Sequence, residues 1–112
     1  MNIDLHILGA DGSIQVDHFD HRPSLRDLQQ RVGGLIELIP HFTYYNSEKC
    51  VAFCNEDGIR LNLRFNQFAT QLWKANLGDA PLRYVPRLLG NVIIVTGDLK
   101  AFGGDDFDED EK

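Results

Sequence analysis

A chain of 112 residues, 43% hydrophobic and 10% aromatic, is long enough to bury one core and too short for two. Its longest apolar run falls well short of the roughly 20 residues that a membrane helix needs, which excludes a helical membrane protein. The net charge of −6 is uneven: residues 105–112 hold six acids and one lysine, leaving residues 1–104 with ten bases against eleven acids, so a strongly basic nucleic-acid binder is excluded as well.

In chain order, IDLHIL (3–8) and SIQVDHF (13–19) alternate apolar residues (Ile3, Leu5, Ile7; Ile14, Val16) around GADG, and the Asp11-Gly12 turn makes them a predicted β-hairpin. In RPSLRDLQQRVGG, Ser24 is the predicted N-cap with Asp27 as its capping-box partner. Leu25, Leu28 and Val32 form an apolar stripe and Gly33-Gly34 the stop, which predicts a short amphipathic helix. LIELIP is a predicted strand, with Leu35, Glu37 and Ile39 on one face and Ile36 and Leu38 on the other, so Glu37 is a buried or rim carboxylate. HFTYYNSEK is a connection turning at Asn46-Ser47, and CVAFC is the next strand, turned by NEDG.

IRLNLRF (59–65) alternates Ile59, Leu61, Leu63 and Phe65 against Arg60, Asn62 and Arg64, the pattern of a half-exposed strand. Asn66 is the predicted cap of a second helix, NQFATQLWKANLG, with Phe68, Ala69, Leu72 and Trp73 on its inner face. DAPLRYVPRLLG, with two prolines, reads as an irregular crossover. NVIIVTGD is a continuous β-branched run, expected as a central strand buried on both faces. Beyond Leu99 the composition turns to glycine and acid, predicting disorder from about Gly103.

The expected fold is a single α+β domain over residues 1–102, one small mixed sheet with two helices in ββαββαβ order, followed by an acidic disordered tail over 103–112. The opening hairpin, the proline-serine step and the helix to Gly34 resemble the start of a ubiquitin-like β-grasp. The succession VGGLIELIP, CVAFCNEDGIRLNLRFNQFATQLW and LLGNVIIVTGD resembles small uncharacterised domains of bacteriophages and mobile elements. The matching residues are Gly33, Gly34, Glu37, Asn55, Glu56, Asp57, Gly58, Asn66, Ala69, Thr70, Gly90, Asn91, Thr96 and Gly97. That resemblance implies a phage or plasmid accessory protein and carries no reaction with it.

The polar candidates are Glu37, Asn55, Glu56, Asp57, Asn66 and Asn91. They read either as a general acid/base or cation site, or as a hydrogen-bond hub with an Asx turn. Cys50 and Cys54 fall on one face of an extended strand, roughly 13 Å apart, too far for a disulfide. They are expected as buried thiols. Asp17, His18, Asp20 and His21 form the most metal-like cluster, but no histidine or cysteine spacing fits a zinc site, and neither a metal nor a cofactor is expected. No nucleophile elbow or phosphate loop is present, so no catalytic set is expected.

Arginines and aromatics suit protein contact. The candidates are Tyr44, Tyr45, Arg60, Arg64, Trp73, Arg83 and Tyr84, with Asp105, Asp106, Asp108 and Glu109 of the tail adding charge. The functional expectation is a non-enzymatic accessory protein that binds a host protein with a basic nucleic-acid-binding surface, an anti-CRISPR or anti-restriction inhibitor. No direct contact with nucleic acid or membrane is expected, and a homodimer fits the apolar strand edges. The alternative is a small-ligand or nucleotide site around Glu37 and Asn66. The alternating N-terminal segment does not read as a secretory leader, so the expected location is cytoplasmic.

Overall fold

A computed structural model describes residues 1–78 and 86–99. The elements are β1 (Ile3–Leu8), β2 (Ile14–Phe19), α1 (Leu25–Val32), β3 (Ile36–Leu38), β4 (Tyr44–Tyr45), β5 (Glu48–Asn55), α2 (Gln67–Leu77) and β6 (Val92–Gly97). The strands form a sheet in the order β2-β1-β6-β5-β3, with β4 paired to β5. The predicted single sheet with two helices is therefore present. Its pairings among the described residues are all antiparallel rather than mixed. The hairpin and helix of the β-grasp-like opening are present, and the other neighbour of β1 is the last strand, β6.

Strand β6 organises the core. It lies between β1 and β5, and its alternating side chains feed two apolar clusters. Ile93 and Val95 join Ile3, Leu5, Ile7, Phe53 and the α1 residues Leu28 and Val32. Val92 and Ile94 join Leu8, Cys50, Ala52, Cys54 and the α2 residues Ala69 and Trp73. The pleat thus sends successive residues to opposite helices, one on each face of the sheet. Only a run apolar at every position can do this, which is why the continuous VIIV segment occupies the centre.

Local signals explain most boundaries. The Ser24 hydroxyl accepts from the Asp27 N–H at 3.0 Å while the Asp27 carboxylate accepts from the Ser24 N–H at 2.8 Å, closing the capping box. Gly33 ends α1 in the left-handed region at φ 80°. Asn46 and Ser47 both take positive φ, 52° and 65°, as a two-residue hairpin between twisted strands requires. Gly97 has φ 104°, and a Cβ there would meet the Asn2 carbonyl, so this strand end admits only glycine.

Some patterns resolved otherwise. Residues 59–65 do not form a strand. Amides of Leu61, Asn62 and Leu63 turn back to the carbonyls of Asp57, Ile59 and Gly58, and Asn62 sits at φ 54°. The periodicity misled because alternation in sequence does not supply a strand to pair with, and β5 already has β6 and β3 on its two sides. Only Phe65 makes a bridge, to Leu89. Ile14, Val16, Leu25 and Phe68, expected to face inward, are exposed. The rest of the expected inner face of α2 is in place, with Ala69 and Trp73 buried and Leu72 packed against the same cluster, and Thr70 is buried with them. Tyr45 and Trp73, expected as contact residues, are buried. The expected disordered tail and most of the crossover, including Arg83, Tyr84, Asp105, Asp106, Asp108 and Glu109, lie outside the described residues.

Candidate functional site

The polar residues singled out in the sequence separate into three places. Asn66 is 1% exposed. Its Oδ1 accepts from the Ala69 N–H at 3.1 Å, while its Nδ2 donates to the carbonyls of Leu8 at 2.9 Å and Gly90 at 2.8 Å. One side chain therefore caps α2 and ties it to the end of β1 and to the approach to β6. Asn55 has a similar role for α1, at the same end of the sheet. Its Nδ2 donates to the Val32 carbonyl at the end of α1, and its Oδ1 accepts from the Asp57 N–H at 2.7 Å, closing the NEDG turn. A Cβ on Gly34 would sit 3.0 Å from that same Nδ2, so the Gly-Gly stop leaves room for it. Asn91 is exposed and donates to the Arg31 carbonyl. All three asparagines supply hydrogen bonds to backbone rather than an open ligand site.

Glu37 lies elsewhere. It is exposed on β3 opposite Cys54, on the rim of a cleft of about 170 Å³ that Cys54, Glu56, Ile59, Trp73, Arg87 and Leu89 also line. Asn66 does not line it. The Trp73 indole N–H is committed to the Pro40 carbonyl at 2.8 Å. Burial, and then the Glu37 carboxylate 3.9 Å from its sulfur, push the Cys54 thiol up to about 12. Cys50 is pushed up to about 12 as well, first by burial and then by Glu48. Both cysteines are free and buried, and as protonated thiols they are poor nucleophiles at neutral pH.

The histidines of the DHFDH segment pair separately, His18 with Asp4 at 2.8 Å and His21 with Asp20 at 3.0 Å. Among the described residues no group of three or more histidine, cysteine, aspartate or glutamate side chains is placed to hold a metal. No helix among them is long and apolar enough to cross a membrane.

What the sequence pattern concealed is the surface made by residues 59–68. Ile59 is 87% exposed, Leu61 45%, and Phe65 and Phe68 39% each. Arg60 pairs with Asp57 at 3.2 Å, the Arg87 guanidinium lies 5.3 Å from the centre of the Phe65 ring, and Arg64 is exposed. Of the contact residues expected from sequence, Arg60 and Arg64 fall here, while Tyr44 stands exposed on the β4–β5 hairpin. Ile59, Leu61 and Phe65 were missed as contact residues. The positive-φ asparagine within IRLNLRF was the one signal that could have marked the loop.

Residues 5–107 match the family described as a domain of unknown function, DUF3846. The chain belongs to the DUF3846 family. No curated protein and no solved structure matches it. The matched residues of this DUF3846 domain contain both capped helices, the asparagine ties and the loop of residues 59–68.

Proposed function

We propose that this DUF3846 domain is a non-enzymatic binding module, a phage or mobile-element accessory protein that engages a host protein through the loop of residues 59–68. The observation that carries the reading is the exposure of Ile59, Leu61, Phe65 and Phe68 together, beside Arg60, Arg64 and Arg87. A loop that held these side chains only for folding would bury them. Large apolar side chains among arginines have the composition of interface hot spots. The asparagines that a catalytic reading would enlist are occupied with backbone groups, which supports a scaffold that presents a surface.

The anti-defence role rests on charge. Six acids and one lysine in residues 105–112 suit electrostatic attraction to a host complex with a basic nucleic-acid channel, while the loop supplies apolar contact. The test has two arms. Quantitative affinity mass spectrometry of wild-type chain against Ile59→Glu is expected to show a host protein whose recovery falls at least tenfold in the variant. Equal recovery from both overturns the loop as the contact surface. Cells with an active CRISPR or restriction system that express the chain are expected to admit targeted phage DNA. Unchanged exclusion of that DNA overturns the anti-defence role while leaving the binding surface standing.

A further inference from the structure

The two edges of the sheet differ in kind. One edge, β3, is three residues long and is followed closely by Pro40, and short edges of this sort resist further pairing. The other edge, β2, is six residues long, and among the described residues it pairs only with β1. Its register with β1 runs from Ile3 opposite Phe19 to Leu8 opposite Ile14 without a slipped residue, so no bulge turns the edge away. It carries neither proline nor lysine. Its one carboxylate, Asp17, is already paired with Arg31 at 2.8 Å. Ile14 is 55% exposed and Val16 53%, although both sit in a strand.

The direction of the backbone groups follows from the hairpin. The Gly9 N–H donates to the Ser13 carbonyl at 2.8 Å, and bonded and non-bonded pairs alternate along an antiparallel ladder. Gln15, Asp17 and Phe19 therefore direct their N–H and C=O groups toward β1. Ile14, Val16 and His18 direct theirs outward, to the open edge.

We propose that β2 is the interface with a second copy of this chain, the two β2 strands pairing antiparallel about a two-fold axis through Val16. Closure by a two-fold axis normal to the sheet requires residues on the same face to oppose one another, which leaves few registers. With Val16 opposite the partner's Val16, Ile14 lies opposite the partner's His18 and Gln15 opposite the partner's Asp17. Every outward N–H and C=O of β2 is then paired, and no like charges face each other. Sliding one register toward the C-terminus sets Asp17 against the partner's Asp17, which is destabilising. Sliding toward the N-terminus takes His18 beyond the partner strand. The self-complementary register places Val16 against its copy and joins the two sheets into one. The acidic residues 105–112 are a poorer occupant, because they would lie beside Asp17 and Asp20. This surface is separate from the loop of residues 59–68.

Sedimentation equilibrium of the full chain, with residue-resolved amide exchange on the same samples, tests the pairing. The expected mass at high concentration is twice that of the 12.7 kDa chain, and the amides of Ile14, Val16 and His18 gain protection as concentration rises. Val16→Lys is expected to raise the dimer dissociation constant by about tenfold or more, since two ammonium groups then meet at the axis. A monomer at about millimolar concentration overturns the proposal, as does a dimer whose Ile14, Val16 and His18 amides exchange freely. Protection of those amides that does not change with concentration assigns the edge to the chain's own residues and equally overturns it. The wild-type exchange measurement decides the matter even if Val16→Lys fails to fold.

Discussion

Asn66 shows how one residue type is chosen for its geometry. The position needs an acceptor for the Ala69 N–H and a donor group for the carbonyls of Leu8 and Gly90, and only a primary amide supplies both at this length. Asn66→Ala removes the cap, at about 1 kcal/mol, and strips a partner from two carbonyls at about 1 kcal/mol or more each. The expected loss is about 2–4 kcal/mol, read from the urea midpoint. Asn66→Asp separates the two roles, because it keeps the capping acceptor and loses both donors. It is expected to be at least as destabilising as alanine, since a buried carboxylate would then face two carbonyl oxygens. Stability equal to wild type in the aspartate variant would show that capping is the whole of its role.

At the scale of the element, the segment after β5 separates two readings of one pattern. If Ile59 faced a core from a strand, Ile59→Glu would cost at least the roughly 2–3 kcal/mol of burying such a side chain. In the turn observed, where it is 87% exposed, the same change is expected to shift stability by less than about 0.5 kcal/mol. Chemical denaturation of the variant measures this directly, and a loss above about 2 kcal/mol would return the segment to the sheet. The comparison explains what the sequence made legible. The capped helices, the hairpin and β6 carry strong local chemistry: Ser24 with Asp27, Gly33, Asn66 and an unbroken β-branched run. The loop of residues 59–68 and the exposed face of β2 do not, because alternation reports a period of two and not which side has a neighbour. Ile14 and Val16 alternate correctly, yet α2 packs over β6, β5 and the end of β1 and leaves them uncovered. Glu37 and Asn66 lie apart for the same reason, since a shared motif says nothing about where across the sheet each residue falls: Glu37 is on the β3 edge, Asn66 beside the end of β1 and the approach to β6.

For the molecule as a whole, the two cysteines and the surface carboxylates set opposite limits to stability. The carboxyl of Asp17 is held below its ordinary 3.8, first by the Gln15 side chain and then by Arg31. Asp27 is held below it by the backbone and side chain of Ser24. For groups lowered in the folded chain, the stabilisation is complete above the unfolded value and is lost as pH falls through the folded one. Cys50 and Cys54 are raised from 9.0 to about 12. Their unfolded thiols therefore lose protons while the folded ones keep them, and stability declines as pH rises from about 9 toward 12. The urea midpoint is expected to be flat between about pH 5 and 8, to fall below about pH 4 as Asp17 and Asp27 take up protons, and to fall again above about pH 9. Cys50→Ala combined with Cys54→Ala lowers the plateau, because it opens space beside Trp73 and Ile94, but it flattens the alkaline limb. Persistence of the full alkaline decline in that variant would assign it to groups other than the thiols. In the wild-type chain, a disulfide reagent at pH 8 is expected to label both cysteines slowly until denaturant is added, since each thiolate requires the core around β5 to open.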